Sequence, residues 1–205
     1  MLTFFHAPNS RSTRVLALLR EMDATDAVDI RLTDIPRRDG TGHRDPGNPH
    51  PEGKVPALLH DGTLVTETAA VMLYLTTLFP DRGLAPVPGD PAHGACLGWL
   101  FWYGNVMEPV LIHEAADLSH PFLDATFRGP AEVAARISAA LERGPWLLGQ
   151  RFSAADLLVH SAYAWFRETM PQDARIRDWV DRCVDRPALR WAAEQDAAWA
   201  AAAAA

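Results

Sequence analysis

The stretch from His50 to Thr68 offers backbone groups to a ligand at two places, a strand entry and a helix start. Val55-Pro56 opens a predicted strand, and because X-Pro bonds become cis more easily than other peptide bonds, we expect a cis bond here. Such a bond would turn the Val55 backbone outward, where its N–H and C=O groups can pair with an extended peptide. The helix predicted from Thr68 offers free N–H groups and a positive dipole end, which suit a carboxylate. A small peptide with an anionic end matches both features.

The same stretch also has a purely structural interpretation. Asp61-Gly62 is a hairpin turn signal between an apolar run and the return strand at Leu64-Val65. Thr66, Glu67 and Thr68 then supply acceptor side chains at the start of an apolar helix, where orphan backbone donors need partners. A hairpin followed by a capped helix needs no ligand, so these residues alone leave both interpretations open.

The composition limits the classes of partner. The chain has 205 residues, 48% of them hydrophobic, which is enough for a core in one or two small domains. Its formal net charge of −7 argues against nucleic acid or an anionic membrane as the main partner. Cys96 and Cys183 form neither a redox dithiol nor a zinc-ligand spacing, and we expect no metal. No apolar stretch is long enough to span a bilayer, so we expect a soluble, cytoplasmic protein.

Strand and helix patterns alternate in the first half of the chain. Its predicted elements are a strand at residues 2–5, a helix from Ser12 to about Asp23, a strand at residues 28–32, a polar loop at 36–51, the hairpin and the helix from Thr68. We expect Ser10 or Ser12 at the cap of the first helix. This order is typical of a thioredoxin-like domain, here residues 1–79.

After a linker dense in Pro and Gly at residues 80–89, the patterns predict helices only. They cover residues 91–118 with a kink at Pro109, 130–141, 178–183 and 187–199. Ser153 and Asp156 have the spacing of a capping box, with Phe152 and Leu157 placed as a hydrophobic staple, which indicates a folding device. The terminal alanine run has low complexity, and we expect its end to be frayed.

The chain resembles the glutathione transferases. The likeness rests on residues 53–58, on Glu67-Thr68 before an apolar helix, and on the run 9–15 after the first strand, and it extends from Leu2 to about Trp191. It implies an α/β thioredoxin-like domain at residues 1–79, a linker at 80–89 and an all-helical domain at 90–205. The Ser-x-x-Asp sequence at Ser153 is similar to the start of the family's central helix.

The resemblance implies glutathione as co-substrate, and it assigns glutathione binding to residues around the hairpin: Lys54, Val55, Pro56, Glu67 and Thr68. The basic residues of the polar loop, Arg37, Arg38 and His43, would either lie in solvent or, with Lys54, form a second carboxylate site near the glutathione glycine.

The resemblance also locates the thiol-activating group in the loop after the first strand. A hydroxyl that donates a hydrogen bond at a helix N-terminus lowers the pKa of a thiol, and the family uses Tyr, Ser or Cys there. No Tyr or Cys precedes Tyr74, so Ser10 is our choice, with Arg11 and Ser12 behind it. Some bacterial and fungal members carry a similar Ser-Arg-Ser run.

One departure from the family leaves an alternative open. Several relatives have a serine at the position of Ala7. If that serine supplies the catalytic hydroxyl in those relatives, Ser10 is only a helix cap here. His6 at the end of the first strand is interpreted as a structural histidine or as part of the site.

The second substrate is expected between the domains, against the long helix after the linker. Trp99, Trp102, Tyr103 and Met107 could form an apolar wall that suits a flat electrophile, or they could belong to the core. We select Tyr103 and Met107 as the pair that faces the substrate.

Two classes of function follow. The first is an enzyme that adds glutathione thiolate to a hydrophobic electrophile, or that reduces a peroxide with it. The second is a non-catalytic module of the same fold that binds glutathione or another protein. The resemblance further implies a homodimer. The maleylacetoacetate isomerase branch is disfavoured because its Ser-Ser-Cys run is absent.

Overall fold

The computed structural model describes residues 1–203 and divides them into two compact units. The first unit contains Met1–Gly83 and the C-terminal segment that begins at Arg186, and the second contains Leu84–Asp185. This division differs from the predicted boundaries, which assigned the C-terminal segment to the helical domain.

The first unit is built on a mixed four-stranded sheet with the order β2-β1-β3-β4. The strands are β1 (Leu2–His6), β2 (Asp29–Leu32), β3 (Ala57–His60) and β4 (Thr63–Thr66). β1 is parallel to β2 and antiparallel to β3, and β3 is antiparallel to β4. This arrangement confirms the predicted thioredoxin-like domain.

The turn between β3 and β4 explains why the sequence predicted a hairpin here. Asp61 and Gly62 have φ angles of 47° and 85°, both in the left-handed region that a tight two-residue hairpin turn requires. Glycine reaches this region without steric cost, and aspartate tolerates it better than most residues.

Two helices of this unit follow the predicted apolar spacing. In α1 (Thr13–Glu21), Val15, Leu16, Leu18 and Leu19 are fully buried, and α2 (Thr68–Leu78) buries Val71, Met72 and Leu75. Phe4 and Leu58 from the sheet are also fully buried, so the core of this unit includes side chains of both layers.

The second unit consists of helices over its described length. They are α3 (His93–Trp102), α4 (Glu108–Ala115), α5 (Pro121–Phe127), α6 (Gly129–Leu141), α7 (Ala154–Trp165) and α8 (Ala174–Val184). The sequence analysis did not predict α5. Among residues 1–203, no helix combines the length and the apolar character needed to cross a bilayer.

A π-helical turn at Tyr103–Met107 joins α3 to α4 and lies just before Pro109, the residue at which the sequence predicted a kink. Proline has no N–H to donate, and its ring clashes with the carbonyl four residues earlier in a regular helix. A widened turn just before the proline avoids both problems. The irregularity therefore lies on the N-terminal side of Pro109.

The capping box predicted at Ser153 is confirmed, and α7, which it begins, is buried at ten of its 12 residues. The Asp156 carboxylate accepts hydrogen bonds from the Ser153 N–H at 3.0 Å, the Leu147 N–H at 2.8 Å and Trp179 Nε1 at 3.0 Å. Burial raises the pKa of Asp156, while these donors favour its charged form. The carboxylate thus joins three segments around the central helix of the unit.

The last helix, α9 (Pro187–Ala203), returns to the first unit and packs against α1. Just before it, Arg186 forms a bidentate ion pair with Glu21, with nitrogen–oxygen distances of 2.6 and 2.7 Å. The guanidinium of Arg20 lies 5.2 Å from the ring centroid of Trp191. The alanine run is helical to Ala203, and the predicted fraying concerns the final two alanines, which lie outside the described residues.

Candidate functional site

The sheet brings three of the predicted site segments together at one end of its strands, which we call the site edge. Phe5 of β1 is paired with Ala57 of β3, and Ala57 is paired with Thr66 of β4. The end of β1, the start of β3 and the end of β4 therefore lie side by side. The segments that continue from them carry Ser10, Val55 and Thr68.

Val55 presents unpaired backbone groups at this edge. The Val55-Pro56 bond is cis, as predicted. Within residues 1–203, neither the N–H nor the C=O of Val55 has a hydrogen-bond partner. Buried backbone groups are nearly always paired, so this pair of groups is suited to a ligand that adds its own N–H and C=O.

Two buried side chains that the sequence analysis missed hold the loop before Val55. Asn48 Nδ2 donates to the Lys54 carbonyl at 3.0 Å, and Asn48 Oδ1 accepts from the His50 N–H at 3.0 Å. His50 Nδ1 in turn accepts from the Glu52 N–H at 3.0 Å. A polar, glycine-rich sequence looks the same whether a given side chain is buried or solvated. The local pattern therefore could not single out Asn48 and His50.

The Lys54 side chain is exposed and forms an ion pair with Glu52. The hydrogen bond from Lys54 holds the pKa of the Glu52 carboxyl below its usual range. Arg37 of the polar loop donates from Nη2 to the Pro8 carbonyl at 3.0 Å, and His43 pairs with Asp34.

The helix start at Thr68 also has unpaired groups. α2 begins at Thr68 as predicted, but the expected capping is wrong, because no side chain caps this helix. Glu67, before the first turn, has φ 69° and ψ 124°, a conformation that costs a non-glycine residue about 1–3 kcal/mol. The leading N–H groups of α2 therefore point at this edge without an acceptor from residues 1–203.

Ser10 and Ser12 lie in the loop after β1, at the start of α1. The Ser10 hydroxyl is half-buried and lies 2.7 Å from the Ala7 carbonyl oxygen and 2.7 Å from Ser12 Oγ. Ser12 is fully buried and occupies the N-cap position of α1, but its side chain makes no cap hydrogen bond. Ser10 is thus the hydroxyl nearer the surface, and the exposed Arg11 lies between the two serines in the chain.

The Ser12 hydroxyl leads inward to a histidine and a carboxylate. His6 Nδ1 lies 2.8 Å from Ser12 Oγ, and His6 Nε2 lies 2.8 Å from Asp196 Oδ1. Asp196 Oδ2 accepts from the Asn9 N–H at 2.7 Å and from Thr13 Oγ1 at 2.5 Å. The sequence analysis missed Asp196 because no local signal connects α9 to the first strand.

Tyr103 and Met107, the residues selected for the second substrate, belong to the π-helical turn of the second unit. Both are buried, and the Tyr103 hydroxyl donates to Glu108 Oε1 at 3.2 Å. Their neighbours Trp102 and Val106 line a cavity of about 240 Å³ in this unit. The substrate-facing role of Tyr103 and Met107 stays a prediction.

Both cysteines belong to the second unit. Cys96 and Cys183 are buried, and no disulfide joins them. Burial raises the pKa of the Cys96 thiol to about 11. In the described part of the chain, no three His, Cys, Asp or Glu side chains converge as a metal site would require.

Comparison with known proteins identifies the family of this chain. A sequence model of the glutathione S-transferase N-terminal domain matches residues 10–78. The chain is 30% identical over 149 residues to glutathione S-transferase GstA of Escherichia coli O157:H7, and the match covers 69% of this chain and 73% of GstA. The chain therefore belongs to the glutathione S-transferase family.

Solved structures show the same fold along nearly the whole chain. A glutathione transferase from Methylococcus capsulatus superposes with a TM-score of 0.77 at 25% identity, covering 96% of this chain and 99% of that one. A sphingomonad glutathione S-transferase complexed with glutathione gives a TM-score of 0.74 at 24% identity, covering 95% and 98%.

Proposed function

We propose that this protein is a glutathione transferase that binds glutathione and adds its thiolate to a hydrophobic electrophile. The observation that carries the proposal is the unpaired Val55 backbone beside the uncapped start of α2, at the sheet edge that also bears Ser10. Family membership and the glutathione held by the sphingomonad relative support it.

Glutathione would bind through groups that already have no partner of their own. The Val55 N–H and C=O would pair with the backbone of the cysteinyl residue, as a short added strand. The γ-glutamyl carboxylate would accept from the Thr68 hydroxyl and from the leading N–H groups of α2, where the helix dipole favours negative charge. The exposed Glu67 carboxylate would bind the ammonium group of glutathione. The cis bond at Pro56 would shape the site, and Lys54 would lie near the glycine end of glutathione.

Ser10 would then stabilise the thiolate. A thiol is a weak nucleophile until it ionises, and a hydroxyl that donates to the sulfur favours the charged form. Ser10 is half-buried and precedes α1, so its hydroxyl can donate outward while the helix start adds a favourable potential. Arg11 contributes positive charge nearby, and Ser12 orients Ser10 from the inside.

The thiolate would attack a hydrophobic electrophile, for which Tyr103 and Met107 stay the predicted contact residues. A peroxide is the other substrate class that the same thiolate could reduce. Either reaction would suit a detoxification enzyme that works in the cytoplasm as a homodimer. Light scattering at micromolar protein concentration tests the dimer, and a monomer would contradict it.

The alternative is a non-catalytic module that binds glutathione or another protein with the same fold. Two measurements separate the proposals. Calorimetry with reduced glutathione tests binding, and an assay with a model aryl halide tests transfer. No heat and no thermal shift at millimolar glutathione would refute both glutathione proposals, whereas binding without turnover on aryl halides and peroxides would favour the module.

A further inference from the structure

We propose that His6, paired with Asp196, accepts the proton of the bound thiol through the hydroxyls of Ser12 and Ser10. The inference rests on the proposed function for the thiol itself. The four side chains form what we call the buried relay: Ser10, Ser12, His6 and Asp196.

The relay is continuous at hydrogen-bond distance. Ser10 Oγ and Ser12 Oγ are 2.7 Å apart, Ser12 Oγ and His6 Nδ1 are 2.8 Å apart, and His6 Nε2 and Asp196 Oδ1 are 2.8 Å apart. Its inner three members are at most 1% exposed, whereas Ser10 is half-buried. Of the four members of the relay, Ser10 is therefore the one nearest the surface, at the end at which the thiol is proposed to bind.

The hydrogen bonds around Asp196 and Ser12 are compatible with one direction of donation along the relay. Asp196 Oδ2 accepts from Asn9 and Thr13, and Oδ1 faces His6 Nε2. In the tautomer that donates from Nε2 to Asp196, His6 Nδ1 is an acceptor for the Ser12 hydroxyl. The Ala7 N–H donates to Ser12 Oγ at 3.1 Å. The Ser10 hydroxyl donates to the Ala7 carbonyl at 2.7 Å, and its rotation toward Ser12 Oγ, also at 2.7 Å, aligns the hydroxyl protons from the surface toward His6.

Proton transfer along this chain reverses every donor without moving a heavy atom. The thiol S–H bond breaks and its proton passes to Ser10 Oγ, while the Ser10 proton passes to Ser12 Oγ and the Ser12 proton passes to His6 Nδ1. The products are a thiolate and an imidazolium, and both serines are hydroxyls again. The Ser10 hydroxyl now donates to the thiolate, which is the hydrogen bond that stabilises it.

The charge that forms on His6 meets the carboxylate of Asp196. From α9, Asp196 contacts Nε2 directly, and the ring of Trp199 lies 5.5 Å away, centroid to centroid. From β1, the ring of Phe4 lies 5.6 Å away. An imidazolium paired with a buried carboxylate in these surroundings is more favourable than an isolated one, because the ionic interaction is weakly screened there.

The direct test is nitrogen NMR of histidine-labelled protein at neutral pH, before and after saturation with reduced glutathione. The chain has 8 histidines, and the His6 signals are assigned by their loss in His6→Gln. We expect neutral His6 with the proton on Nε2 in the free protein and imidazolium in the complex. If His6 stays neutral while the ultraviolet absorbance of the bound thiolate appears, the relay is refuted and the proposed function stands.

Asp196→Asn tests the relay by a second route, because asparagine removes the charge and keeps one acceptor oxygen, which can face either His6 or the Asn9 and Thr13 donors. We expect turnover at neutral pH to fall on the order of a hundredfold, the apparent pKa of bound thiol to rise, and activity to recover as the pH is raised. Glutathione affinity should change little. A loss of activity that is equal at every pH would contradict this inference.

Glu21→Gln is the matched control, because it removes the charge of the Glu21–Arg186 pair, which links α1 to the residue before α9, without touching the relay. It should keep the parental pH profile. If the parent protein does not bind glutathione at all, the proposed function and the relay both fail, and this result is distinct from binding without protonation of His6.

Discussion

His6 Nε2 and Asp196 Oδ1 lie 2.8 Å apart although 190 positions separate the two residues in the chain. The contact joins the first strand to the last helix, and Asp196 also holds the serine loop through Asn9 and Thr13. The C-terminal segment is thus part of the site-bearing unit. A loop held from two sides by one buried carboxylate keeps Ser10 in a fixed position, which electrostatic stabilisation of a thiolate requires.

Cys96 should not react with iodoacetamide in the folded protein at neutral pH. Burial raises the pKa of its thiol to about 11, so the reactive thiolate is scarce and also inaccessible. Mass spectrometry of the alkylated protein is the measurement, with the protein unfolded in denaturant as the positive control. Cys96→Ser should keep its glutathione-dependent activity, and a large loss of turnover without loss of stability would contradict a purely structural role.

Asp156→Ala should lower the free energy of unfolding by more than about 3 kcal/mol, because it leaves several buried donors without an acceptor. Trp179 Nε1 and the N–H groups of Leu147 and Ser153 all donate to this carboxylate. Ser153→Ala is the comparison, since loss of one N-cap side chain costs about 1 kcal/mol. Denaturant unfolding followed by tryptophan fluorescence gives both values, and equal losses would show that Asp156 is no more than a cap.

The capping box could be found from sequence because its residues are three positions apart, and the hairpin could be found because Asp61 and Gly62 suit a turn. Those signals are local. The pairing of His6 with Asp196 is a tertiary contact, and the π-helical turn accommodates a proline that has no N–H to donate. Neither feature leaves a periodic pattern in the sequence. The backbone groups at Val55 and Thr68 could therefore be predicted, whereas the buried contacts behind Ser10 could not.

Asp173 should make the second unit sensitive to acid. The Ser138 hydroxyl donates to Asp173 Oδ2 at 2.5 Å and lowers the pKa of that carboxyl, and the Arg175 N–H adds a smaller contribution. A lowered folded-state pKa gives stability that is present above the unfolded pKa of about 3.9 and is lost as the pH falls through the folded pKa.

The measurement is the difference in unfolding free energy between the parent and Asp173→Asn as a function of pH. The parent should be the more stable protein near neutral pH, and the difference should disappear as the pH falls below about 4. A difference that grows in acid would reverse the sign and contradict the assignment.

Thr68→Val should weaken glutathione binding by about 1–3 kcal/mol, because a bound carboxylate loses a charge-assisted hydrogen bond while the helix N–H groups remain. Turnover of the saturated enzyme should change little, since the interaction is the same in the ground state and the transition state. Calorimetry and steady-state kinetics measure the two quantities. Thr63→Val, on the exposed start of β4, is the control for loss of a threonine hydroxyl away from the site.

Ser10→Ala should have the opposite effect, with nearly unchanged affinity for glutathione and lower turnover at neutral pH. The variant removes both the donor to the thiolate and the entrance to the buried relay, so the pKa of the bound thiol should rise and activity should recover as the pH is raised. The pH profile of turnover, recorded beside the parent, is the measurement.

Ser12→Ala should also lose stability, by about 1–3 kcal/mol, because the Ala7 N–H and His6 Nδ1 lose their buried partner. If Ser10→Ala keeps the parental profile while Arg11→Ala loses it, the guanidinium is the stabilising group. If none of the three substitutions alters the profile, glutathione is bound without being activated, and the non-catalytic module becomes the better description.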